Sequence, residues 1–168
     1  MELQRITTDY HEEQDRLRLT GEDFQHTTTV LWLTQRLLGR MVPHLCRWLE
    51  GQLGNAPLAD VRQEMAQQQA QAQLAPQVPV RADAQTPGTL VQSVDIQATS
   101  SGVVLVFKGA HAQVLASLRL QATPLRQWLA IVHAQFAQAQ WPTTVWPAWV
   151  QAVQPITTTD LQHRPVLH

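Results

Sequence analysis

The 168-residue chain has room for one ordinary domain, or for two small ones sharing a core. Hydrophobic residues make up 44% of it and charged residues only 15%, so part of its surface is expected to be covered by the chain itself or by a partner. A net charge of −1 excludes a strongly electrostatic nucleic-acid binder, and no apolar run approaches the ~20 residues of a membrane span.

The charge is unevenly placed. Residues 1–64 hold ten of the thirteen acids and seven of the twelve basic groups, and eleven of those basic groups are Arg. Arg suits planar, bidentate and stacking contacts, and is also what a GC-rich genome encodes. Cys46 stands alone, which rules out an internal disulfide. It falls on the apolar side of a predicted helix, where a free Cys behaves as a small hydrophobe. The N-terminus lacks the basic and apolar regions of a signal peptide, so the cytoplasm is the expected compartment.

Residues 3–10 are rich in β-branched side chains and read as a strand with Ile6, Thr8 and Tyr10 on one side. Arg16-Leu17-Arg18-Leu19-Thr20 alternates strictly, the pattern of a half-buried strand. A third strand runs from Thr27 to Leu33. Thr34 is a good N-cap, and Leu37, Leu38, Met41, Val42, Leu45, Trp48 and Leu49 then recur at helical spacing. Pro43 inside this run predicts a kink or a break. Gly51 and Gly54 are expected to end the helix.

Asn55-Ala56-Pro57 opens a second predicted helix, with Leu58, Val61 and Met65 on one side. It runs into a stretch where seven of the fifteen residues from Gln63 to Gln77 are Gln. Pro76, Pro79 and Pro87 mark an extended linker after it. Val94 and Ile96 then signal a strand, followed by a turn at Thr99-Ser100-Ser101-Gly102. Val103-Val104-Leu105-Val106-Phe107 is a continuous apolar run, expected to be buried on both faces. Val114 to Leu120 supplies the next strand. Thr123-Pro124 reads as an N-cap with Pro at the first helical position, and Leu125, Trp128, Leu129, Val132 and Phe136 form the apolar face of the helix. Half of the six Trp residues, Trp141, Trp146 and Trp149, lie in a Pro-stiffened tail with a short helix expected around Ala148 to Val153. From Pro155 to His168 the chain is polar and expected to be loose.

The second half echoes the first. Leu17 and Leu19 match Val104 and Val106 at the same offset that relates Leu31 and Leu33 to Leu118 and Leu120. The predicted fold is therefore α+β: two pseudo-repeated antiparallel β-β-β-α units joined by a helical Gln-rich connector. The units span residues 1–54 and 91–140, with the connector and Pro linker at 55–90 and the Trp/Pro-rich tail at 141–168.

No catalytic signature is present: no phosphate-cradling Gly-rich loop, no nucleophile elbow and no paired His on a helix. The chain is thus expected to be non-enzymatic and to need no cofactor. His11-Glu12-Glu13 with Asp9 and Asp15 could gather around a cation, but a polar hairpin tip is solvated by default, and no metal site is expected. His163 and His168 lie in the tail, while His44 and His133 sit beside apolar residues on helices.

Strand alternation makes Arg5, Arg16, Arg18 and Trp32 share the side of the first sheet opposite to Leu17, Leu19, Leu31 and Leu33. Arginines with an aromatic on an open sheet are the ingredients of single-stranded nucleic-acid binding. A strand meander closed by a helix is similar, in topology alone, to the single-stranded-DNA-binding Whirly and Pur-repeat folds, and the chain carries no motif of either family. The other reading of this face is an interface with the second unit or another subunit. Trp141, Trp146 and Trp149 are candidate anchors for a partner, or else fill an internal groove. The leading expectation is an interaction or assembly module that binds a protein partner and forms a homodimer. The alternative is a single-stranded nucleic-acid-binding protein using the Arg/Trp face.

Overall fold

The computed structural model describes residues 1–54 and 57–153. Asn55, Ala56, His163, His168 and the polar end from Pro155 lie outside the described residues. The fold is α+β, with eight strands in two sheets and four α-helices among the described residues.

The first sheet is built on an antiparallel meander of β2 (Arg5–His11), β3 (Arg16–Glu22) and β4 (Thr28–Leu33). Its alternation works as expected: Leu17, Leu19, Leu31 and Leu33 are fully buried. The second meander consists of β6 (Ser93–Ala98), β7 (Val103–Lys108) and β8 (Val114–Leu120). Here β7 departs from expectation, because only Val103, Leu105 and Phe107 are buried. Val104 and Val106 stay only partly buried, since alternation turns them to the side of the sheet away from the core.

Neither sheet stops at three strands. The chain breaks step at Gln4, so β1 (Glu2–Leu3) leaves the first sheet and pairs parallel with β8. Similarly, β5 (Gly88–Leu90), which the Pro-rich linker did not announce, pairs parallel with β4. The strand orders are β2-β3-β4-β5 and β6-β7-β8-β1, each with an edge strand donated from the other side of the chain. Leu3 crosses closely over the first sheet. A Cβ on Gly21 would lie 2.7 Å from its Cδ1, so any larger residue there would have to push the Leu3 side chain aside.

The helices exchange in the same way. Helix α1 (Gln35–Leu53) follows the first meander and reaches β6, where Trp48 Nε1–H donates to the Thr99 carbonyl at 3.1 Å. Helix α3 (Ala122–Gln138) follows the second meander and lies against β2. Residues from both sheets and both helices form one hydrophobic core.

Thr34 caps α1 as expected, its hydroxyl accepting from the Leu37 N–H. Pro43 does not break α1. Leu38, Met41 and Val42 before it and Leu45, Cys46 and Leu49 after it are all buried, and that burial outweighs a cost of about 3 kcal/mol for an interior Pro. Helix α3 begins earlier than Thr123, with Gln121 as N-cap. Pro124 still lies in the first turn, where a missing N–H breaks no intrahelical bond. The connector holds α2 (Ala59–Ala72), and the tail holds α4 (Ala148–Gln151).

Candidate protein-binding groove

Strand β2 is an edge of its sheet, paired on one side only. Its other side faces α3 through two polar contacts. The Tyr10 backbone N–H donates to Gln135 Oε1 at 2.7 Å, and Trp128 Nε1–H donates to the Thr8 hydroxyl at 3.1 Å. Because the Tyr10 N–H points away from β3, alternation directs the Ile6 and Thr8 N–H groups the same way. On the sheet's outer side, the segment from Leu74 to Val80 straps across β2. Arg5 Nη2–H donates to the Val78 carbonyl at 2.6 Å, and the Val80 N–H donates to Thr7 Oγ1 at 2.8 Å.

A groove of about 470 Å³ lies between strap, strand edge and helix. Ile6, Tyr10, Leu74, Val78 and Ile131 give it apolar walls, with Gln127 and Gln138 at the polar positions. Its two charged liners, Arg5 and Asp9, are already ion-paired, with Glu22 at 2.7 Å and Arg18 at 2.9 Å. The groove is therefore close to neutral.

The sequence-predicted face is assembled on the outer side of the first sheet. Arg18 is opposite both Asp9 and Trp32 in register, and Arg16 is opposite His11. Arg5 is drawn to the strap at the far end. Trp32 is half-buried, its ring edge-on to His11 at 5.3 Å. Asp9 and Glu22 interleave with the arginines, so the face is not a positive surface.

Trp141, Trp146 and Trp149 are buried within the chain. Phe136 meets Trp141 and Trp146 edge-to-face at 5.1 and 5.4 Å. Trp141 Nε1–H donates to Asp15 and Trp149 Nε1–H to Glu50, while Trp146 Nε1–H has no partner among the described residues. The rings offered as partner anchors are thus seated in the chain's own core. Asp15 also accepts from the Tyr10 hydroxyl, which raises the tyrosine pKa. No three His, Cys, Asp or Glu side chains gather as a metal site among the described residues.

Sequence reasoning missed the polar cluster behind the groove. Arg126 is buried on α3, its guanidinium 5.2 Å from the Trp149 ring and its Nη2–H donating to Gln63 Oε1 at 2.6 Å. Burial lowers its pKa. Nearby, burial pushes the Cys46 thiol up to about 12. The sequence signal was the spacing of Gln63, Gln67 and Ala70, one stripe of a helix. No helix among the described residues is long and apolar enough to cross a membrane. No family model, curated protein or solved structure matches the chain.

Proposed function

We propose that the chain is a non-enzymatic interaction and assembly module that takes an extended, uncharged segment of a partner protein into the groove. The observation that carries this reading is the edge of β2 along the groove, which no strand pairs and whose Ile6 and Thr8 N–H groups are directed away from β3. An incoming strand pairs with such groups irrespective of its sequence, and side-chain pockets then supply selectivity. The neutral lining favours an uncharged segment. Absence of His, Cys, Ser, Lys and Glu from the lining supports binding over catalysis.

The same reading includes homodimerisation, supported by exposed apolar side chains such as Phe24 and Val114, and a cytoplasmic location, supported by a single unpaired Cys. It also treats the two halves as a pseudo-repeat, supported by their parallel strand orders. Light scattering tests the dimer.

Screening wild-type protein against a display library of short extended peptides tests the groove. Binders are expected, and they should be lost in Ile131→Arg, which fills the groove with charge. They should also be lost in Ile6→Pro, which removes an edge donor that β3 does not use. Failure to find binders, or binders indifferent to both changes, would count against the reading.

The second reading is single-stranded nucleic-acid binding by the Arg/Trp face. It is favoured by one observation: Arg16 stays partly exposed with no ion-pair partner among the described residues. A gel shift at two salt concentrations tests it, because phosphate binding weakens with salt. No shift is expected.

A further inference from the structure

Helix α2 is mounted inside out. Its inward stripe is Gln63, Gln67 and Ala70, all buried, with Gln67 fully so. Leu58, Val61 and Met65, which the sequence places together on one apolar side, face solvent and are 74%, 49% and 63% exposed. A surface helix ordinarily does the reverse.

Hydrogen bonds hold it instead. Gln63 Nε2–H donates to the Leu49 carbonyl of α1 at 3.2 Å while its Oε1 takes the Arg126 guanidinium. Gln67 Nε2–H donates to the Arg126 carbonyl at 3.0 Å, and Gln127 Nε2–H to the Ala70 carbonyl at 2.9 Å. The strap continues directly from this helix and is held likewise, by Arg5 and Thr7. Between Ala59 and Val80, only Ala70 and Val80 are buried hydrophobic residues.

Such a mounting is easily lifted. Water replaces hydrogen bonds when a segment undocks, but does not replace lost apolar burial. The docked state also carries a penalty: among the described residues, Arg126 is a buried cation without a carboxylate partner, and its Nη1 and the Gln67 Oε1 have no hydrogen-bond partner. Segments with few buried apolar contacts open first.

We infer that residues 59–80 are a displaceable wall of the groove, lifting from α3 and β2 to admit the partner segment and docking again beside it. The inference rests on the protein-binding reading of the groove, whose strap side is formed by Leu74 to Val80.

Cys46, the only cysteine, is a built-in reporter. It is buried on α1, three residues from Leu49, whose carbonyl takes the Gln63 bond that holds the wall. Labelling with dithiobis(nitrobenzoate) is expected to run about 100-fold faster than global unfolding permits, with little dependence on urea below the transition. Amide exchange in 59–72 should share that independence, while α1 and α3 exchange only through global unfolding. Gln127→Ala removes one docking bond and should speed labelling about tenfold, while lowering global stability by no more than that same factor, about 1.4 kcal/mol. Joint replacement of Gln63 and Arg126 by Leu should slow it about tenfold. Labelling and α2 exchange that track global unfolding in wild type and Gln127→Ala would overturn the displaceable wall, and peptide binding in the library screen would then leave the groove standing. Labelling as expected with no peptide bound would instead overturn the groove reading.

Discussion

Trp32 crosses the backbone of Gly88 so closely that a Cβ on that residue would fall inside the indole. Gly88 is opposite Val30 in register, so the ring leans back along the parallel β4–β5 pair onto Gly88. Gly88→Ala must displace the ring, at an expected cost of about 1–3 kcal/mol. Adding Trp32→Ala removes the clash, so the double variant should lose less than the sum of the two single changes. Urea unfolding of the four proteins measures this, and additive losses would mean the ring does not press on β5.

Trp128 joins α3 to the edge strand β2. It is buried, and its Nε1–H is satisfied by the Thr8 hydroxyl. Trp128→Ala should therefore destabilise by roughly 3–5 kcal/mol. Thr8→Val keeps the shape but orphans the indole donor, and a loss of about 1–3 kcal/mol is expected. Chemical denaturation separates the two, since only the first leaves a cavity.

Local patterns were legible in the sequence, and long-range pairings were not. Leu17, Leu19, Leu31 and Leu33 declared their face because alternation is written into consecutive residues. Thr34 declared its cap for the same local reason. Strands β1 and β5 have two and three residues, too short to show a period, and each depends on a partner strand distant in sequence. The orientation of α2 was read from Leu58, Val61 and Met65. It is decided by Arg126, which gives Gln63 and Gln67 a buried partner 63 and 59 residues further along the chain. Of the candidate face, alternation correctly grouped Arg5, Arg16, Arg18 and Trp32, but not the acids that pair with them or the strap that takes Arg5. The groove needs β2, α3 and the strap together, and no single stretch of sequence carries all three.

Asp15 ties the first hairpin to the tail. Its Oδ1 accepts from the Tyr10 hydroxyl at 3.0 Å and from Trp141 Nε1–H at 2.9 Å, and its backbone is left-handed at φ 45°. Asp15→Ala loses both acceptor contacts and puts Ala where it is strained, so a loss of about 2 kcal/mol is expected. Asp15→Asn keeps a carbonyl acceptor and tolerates this backbone, and should cost less than half as much. Equal losses in thermal or urea unfolding would show that the bonds to Tyr10 and Trp141 contribute little.

His133 should make stability fall in mild acid. It sits half-buried on α3, its ring edge-on to Trp146 at 5.0 Å. Burial lowers its pKa below the ordinary 6.5, because the imidazolium loses hydration there. The unfolded chain keeps the ordinary value, so as pH falls through 6.5 the unfolded state takes up the proton first. The contribution of neutral His133 is therefore fully present above that pH. It is lost progressively as pH falls from there through the lower folded-state value, and no further loss follows once both states are protonated. His133→Gln cannot take up the proton and should show a flatter stability curve between about pH 8 and about pH 5. Urea midpoints of the two proteins across that range test the sign as well as the residue. Parallel curves would assign the acid sensitivity to another group.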